Sequence, residues 1–195
     1  TLSTTGVGGS YVSETTWNWG GGTGSSGGVS TYYKIPSWQT NISMAANGGS
    51  TTYRNIPDVA LAGDNVYVIY GNGSSETVGG TSGAAPLWAG YCALVNQQAA
   101  LAAQPPVGFL NPTLYAMANA GSYNNDFHDI TTGNTTSPGS PTKYYAVAGY
   151  DLCTGLGTPN GTNLINALAP LVFAPAITSA GWTLLAESAT PTNGA

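Results

Sequence analysis

Gly79-Gly80-Thr81-Ser82-Gly83-Ala84-Ala85-Pro86 stands between a β-branched, aromatic stretch and the longest Ala-rich run of the chain. The stretch before it, Asn65–Tyr70 (NVYVIY), reads as a strand bounded by Ala-Gly-Asp and Gly-Asn-Gly. The run after it, Ser82–Ala103, carries Leu87, Tyr91, Leu94, Val95 and Leu101 at helical spacing. The spacing predicts one long helix, with Pro86 tolerated in its first turn. That helix is nearly uncharged, which predicts burial on most of its faces. A serine at the start of such a helix gains from the helix dipole and from free backbone N–H groups, both of which stabilise nearby negative charge. The glycines let another backbone approach closely. These features suit Ser82 as an acyl-transfer nucleophile. They equally suit Ser82 or Thr81 as an ordinary helix N-cap.

A serine nucleophile needs a base. The single histidine, His128, lies in a polar loop far along the chain and reads as a loop-packing residue. Glu76 sits on the strand leading into the turn and reads as a solvated side chain. The chain itself therefore shows no complete catalytic set around Ser82.

Outward from this centre, Thr1–Ser50 is rich in Gly, Ser, Thr and Trp and predicts loops and short strands. Residues 51–170 contain the serine-bearing helix, a second helix at Asn111–Ala118, a strand at Tyr144–Ala148 and a third helix at Thr162–Leu168. Residues 171–195 form a tail. Two aspartates, Asp129 and Asp151, fall in Gly-rich loops with main-chain carbonyls around them. Such a set suits a hard cation such as calcium, although turn formation and capping are commoner uses of aspartate.

Composition narrows the function. The 195 residues include 3 Lys+Arg and 8 Asp+Glu, for a formal net charge of -5, and charged residues make up 6%. Three cations are too few for a nucleic-acid surface or a polybasic membrane anchor. No apolar run is long enough to span a bilayer. Few ionisable groups mean few pairs to lose at low pH, which predicts a secreted, extracellular protein adapted to acid; the alternative is a secreted protein of neutral surroundings with a Ser/Thr/Asn-rich surface. Cys92 and Cys153 are the only cysteines; they could pair, stay reduced and buried, or bond another chain. Their flanks lack zinc-type spacing. N-x-[ST] sequons stand at Asn41, Asn72, Asn134 and Asn160.

Several separate stretches resemble the sedolisin family of serine-carboxyl peptidases. They are Arg54-Asn55-Ile56-Pro57-Asp58-Val59-Ala60; Gly80-Thr81-Ser82 with Ala85-Pro86-Leu87-Trp88-Ala89-Gly90; Gly108-Phe109-Leu110-Asn111-Pro112 with Leu114-Tyr115; Phe127-His128-Asp129-Ile130; and Gly149-Tyr150-Asp151-Leu152-Cys153-Thr154-Gly155-Leu156-Gly157. They occur in family order from about Val7 to Leu168. The resemblance implies an α/β, subtilisin-like fold, a parallel sheet flanked by helices, present here as the C-terminal half. It implies acid-active endopeptidase or tripeptidyl-peptidase chemistry with Ser82 as nucleophile. It implies one structural calcium ion held by Asp129, the carbonyls of Ile130, Val147 and Gly149, and Asp151. The family's Glu base, the Asp supporting it and the Asp of the oxyanion hole all lie upstream of the matched segment. The resemblance therefore implies a partner, an N-terminal chain of the same precursor carrying those residues. The alternative is a non-catalytic sedolisin-like binding or structural module lacking them.

Overall fold

The computed structural model describes residues 1–43 and 45–171. The tail, apart from Leu171, lies outside the described residues. The N-terminal part is built of short strands, β1 (Leu2–Thr4), β2 (Tyr11–Glu14), β3 (Asn18–Gly20), β4 (Thr23–Gly24) and β5 (Gly28–Lys34). Then follow β6 (Tyr53–Ile56), β7 (Val66–Tyr70), β8 (Ser74–Val78) and the helix α1 (Thr81–Leu101). The chain continues through α2 (Asn111–Ala118), α3 (Tyr123–Asp126), β9 (Phe127–His128), β10 (Thr158–Pro159) and α4 (Gly161–Leu168).

The mixed helix-and-strand composition is compatible with the expected α/β class. The strands of the described residues form antiparallel pairs, β1–β2, β3–β4, β5–β6, β7–β8 and β9–β10. Parallel pairing is not among them. The connections within β1–β2, β3–β4 and β7–β8 are too short for the crossover that a parallel partner needs, so these strands return antiparallel. The β7–β8 hairpin runs in register from Val66↔Val78 to Tyr70↔Ser74. Its loop, Gly71-Asn72-Gly73, takes positive φ throughout, which is why two glycines and an asparagine occupy it.

The expected strand at Tyr144–Ala148 does not form; Tyr145 makes only an isolated bridge to Asn134. Its backbone is used otherwise. The Val147 N–H donates to the Asp151 carboxylate at 3.0 Å, and the chain turns at Gly149 with φ 78°.

One core cluster joins Leu114 and Tyr115 of α2, Phe127 of β9, Leu164 of α4, and Tyr150, Leu152 and Leu156. A smaller one packs Val95 and Ala99 of α1 against Ala169. A buried polar network braces the first. Gln39 Nε2 donates to the Tyr115 hydroxyl at 2.7 Å and to the Asn55 carbonyl at 3.0 Å, and the Tyr115 hydroxyl donates to Asp58 Oδ1 at 2.8 Å. Arg54 pairs with the same Asp58.

Contrary to the burial expected from its composition, α1 buries only Val95 and Ala99. Leu87, Leu94 and Leu101, one heptad apart, are 42%, 53% and 79% exposed. An uncharged helix is buried only where something packs on it, and the described residues cover a single side.

The turn 155–157 knits the distant motifs together. Leu156 N–H donates to the Asp58 carbonyl at 2.8 Å, and Ala60 N–H to the Gly157 carbonyl at 2.9 Å. Gly155 and Gly157 have φ of 64° and 85°, and a β-carbon on either would overlap the carbonyl of Asp58 or His128 respectively. Gly157→Ala is therefore expected to cost about 3 kcal/mol or more, read as a fall in thermal midpoint.

Candidate active site

Three segments place Ser82. The Gly80 N–H donates to the Gly63 carbonyl at 2.7 Å, which seats the Gly79-Gly80 turn on the 60–63 segment. Gly80, with φ 147°, is the N-cap of α1 and supplies no side-chain cap bond. This removes the reading of Thr81 or Ser82 as the cap. Ser82 is exposed in the first helical turn, whose opening backbone N–H groups lack an acceptor one turn back, although the Gly83 N–H donates to the Gly80 carbonyl at 2.9 Å. Further along, Trp88 Nε1 donates to the Ala60 carbonyl at 2.9 Å and pins the helix to the same segment.

Because the helix starts at Thr81, Pro86 falls beyond the first turn rather than within it. Its missing N–H frees the carbonyl of Ser82, four residues earlier. A cavity of about 220 Å³ lies against the start of the helix, lined in part by Ser25, Ala60, Thr81, Ala84, Trp88 and Cys153.

The other titratable candidates lie elsewhere. Glu76 is exposed on β8. His128 stacks on Tyr11 with ring centroids 3.8 Å apart, and its Nδ1 is 4.0 Å from Glu14 Oε2. Burial pushes the His128 pKa down and the Glu14 pKa up. The Thr158 hydroxyl donates to Glu14. A carboxyl raised on folding holds its proton more tightly in the native state, so it weakens the fold when ionised and the penalty fades as pH falls. Glu14→Gln, which keeps an acceptor for Thr158, is expected to raise the thermal midpoint at neutral pH by about 2–4 °C. The gain should shrink on acidification, as thermal scans across pH would show.

Cys92 and Cys153 are both free. Cys153 is buried beside Thr135, and burial pushes its thiol up to about 11, so it is not a thiolate nucleophile.

The structure brings Asp129 and Asp151 to one turn. Gly149 N–H donates to Asp129 Oδ2 at 2.8 Å, while Val147 N–H donates to Asp151 Oδ2 and the N–H groups of Cys153 and Thr154 to Asp151 Oδ1. Asp151 is fully buried, and burial raises both carboxyls above the usual range. Burial, and beyond it the Asp129 and Asp151 charges, push the Tyr123 pKa up, and its hydroxyl donates to the Leu156 carbonyl at 3.1 Å. Among the described residues no N–H donates to the carbonyls of Ile130, Val147 or Gly149. Carboxylates and undonated carbonyls are the oxygen donors that calcium takes, and here Asp129 Oδ2 and both Asp151 oxygens already accept backbone N–H bonds, as aspartates in turns do. No three His, Cys, Asp or Glu side chains gather among the described residues.

Comparison with known proteins adds the family. No family model matches the chain. Kumamolisin of Bacillus sp. (strain MN-32) is 42% identical over 162 residues, covering 80% of this chain and 28% of its own length. Tripeptidyl-peptidase sed1 of Aspergillus fumigatus is 40% identical over 115 residues, 59% of this chain and 17% of its own. This chain is a sedolisin homologue. Human tripeptidyl-peptidase 1 is 34% identical over 116 residues, 57% of this chain and 20% of its own. The sedolisin homologue thus spans under a third of the length of each of these relatives. No helix among its described residues is long and apolar enough to cross a membrane. Sequence reading singled out Ser82 and both aspartates as candidates and quoted Trp88 only within a motif; the contacts of the Gly63 carbonyl and the Trp88 indole join positions distant in the chain.

Proposed function

We propose that this chain is the serine-bearing part of a secreted, acid-active serine-carboxyl endopeptidase. The observation that carries the reading is the exposed Ser82 in the first turn of α1, uncommitted to capping, in a chain homologous to peptidases. The Glu base, its supporting Asp and the oxyanion Asp would come from an N-terminal chain of the same precursor, which would also have to supply the parallel sheet. The relatives extend far beyond the matched segment, and the apolar stripe of α1 lies open, as that arrangement requires.

In the proposed reaction the Ser82 hydroxyl passes its proton to the Glu carboxylate and its oxygen attacks the peptide carbonyl. The oxyanion is held by the protonated Asp and by N–H groups of the first helical turn. The amine leaves with the proton, and water then hydrolyses the acyl-enzyme on Ser82. A carboxylate base works near its own pKa, hence in acid. One calcium ion at Asp129, Asp151 and the carbonyls of Ile130, Val147 and Gly149 would tie the loop after His128 to the turn before Cys153.

The test is covalent labelling. A fluorophosphonate should modify Ser82 in the assembled protein at acid pH and leave the 195-residue chain alone unmodified, read by peptide mass mapping. Labelling elsewhere, or none in the assembled protein, would favour the non-catalytic module.

A further inference from the structure

Trp19 is 60% exposed although it is among the largest apolar side chains of the chain. Its ring edge lies on the backbone of Gly79, three residues before Ser82. A β-carbon at Gly79 would sit 2.7 Å from its Cη2 and 2.8 Å from its Cζ2. Trp19 is not a loose side chain. It stands edge-on to Trp17, with centroids 5.3 Å apart and rings at 89°. Trp17 in turn lies against Gly63, where an added β-carbon would meet its Cε3 at 3.6 Å. Gly63 is the residue whose carbonyl holds the Gly80 N–H. Indole, indole, Gly63 and the turn before the serine thus form one contiguous layer, and Gly79 has no side chain to separate Trp19 from that turn.

We propose that Trp19 is the wall of a substrate subsite beside Ser82, selecting peptides with a bulky apolar side chain next to the scissile bond. The proposal rests on the reading of Ser82 as nucleophile. An indole held on one edge and 60% exposed offers area to a Phe or Leu side chain at little entropic cost, and no charged residue stands in the 15–27 segment to favour a polar one.

The experiment uses the assembled protein and internally quenched peptides carrying Phe, Leu, Ala or Gly on either side of the cleaved bond. Trp19→Ala is expected to raise KM about tenfold for Phe and Leu peptides at one of the two positions, with kcat and the Ala and Gly peptides unchanged. Trp19→Phe should restore most of the preference. Equal effects on all peptides, or no effect, would overturn the subsite. Binding of the same peptides to the uncleaving Ser82→Ala protein, with and without Trp19→Ala, reads the subsite independently of chemistry; equal affinities would also overturn it. If Ser82→Ala still cleaves, the nucleophile reading fails instead, and the two failures stay distinct.

Discussion

Ser82→Ala is expected to remove peptidase activity from the assembled enzyme by several powers of ten while leaving it folded. The size of the effect separates a nucleophile from the helix cap that the sequence also allowed. Loss of a helix cap costs about 1 kcal/mol of stability. Loss of a nucleophile removes the covalent route altogether, and in a comparable serine peptidase costs about 2 × 10⁶ in kcat. The structure assigns the cap to Gly80, so the substitution deletes an exposed hydroxyl with no side-chain cap bond. Its thermal midpoint should therefore match the parent. Activity assays at acid pH beside thermal scans settle it: a variant that keeps its turnover, or one that loses activity only because it unfolds, would reverse the assignment.

Removing calcium is expected to have the second largest effect, on stability. Asp151 is buried and Asp129 half-buried, with backbone N–H groups and the Thr154 hydroxyl but no cation among their described partners. An ion present at a hundredfold over its dissociation constant adds about 2.7 kcal/mol. For a domain of this size that is a fall of about 5–10 °C in thermal midpoint on chelation. Asp151→Asn should lower the midpoint without chelator and abolish the chelator's further effect. Binding needs ionised carboxylates, so the stabilisation by added calcium should diminish as pH falls through their titration; the ion's own charge pulls those pKa values down and extends the range into acid. A midpoint indifferent to chelator at neutral pH would sink the assignment.

The amino-acid sequence alone determined the local elements. The β-branched run ending at Tyr70, the Ala-rich run after Thr81 and the Asn111–Ala118 helix follow from propensity and periodicity, which act between near neighbours and need no tertiary partner. The candidate residues Ser82, Asp129 and Asp151 could be singled out locally too, because their glycine-rich surroundings state the backbone freedom they require. Tertiary structure decided the rest. Residues 144–148 look like a strand, yet the buried Asp151 carboxylate captures the Val147 N–H that a ladder would use. Capping was ambiguous until the Gly63 carbonyl fixed the turn at Gly80. The α1 composition foretold burial, but burial depends on what is packed alongside, and three leucines a heptad apart remain open among the described residues. The Trp19–Gly79 contact joins positions sixty residues apart in the chain, a separation over which no periodicity carries information and only packing decides.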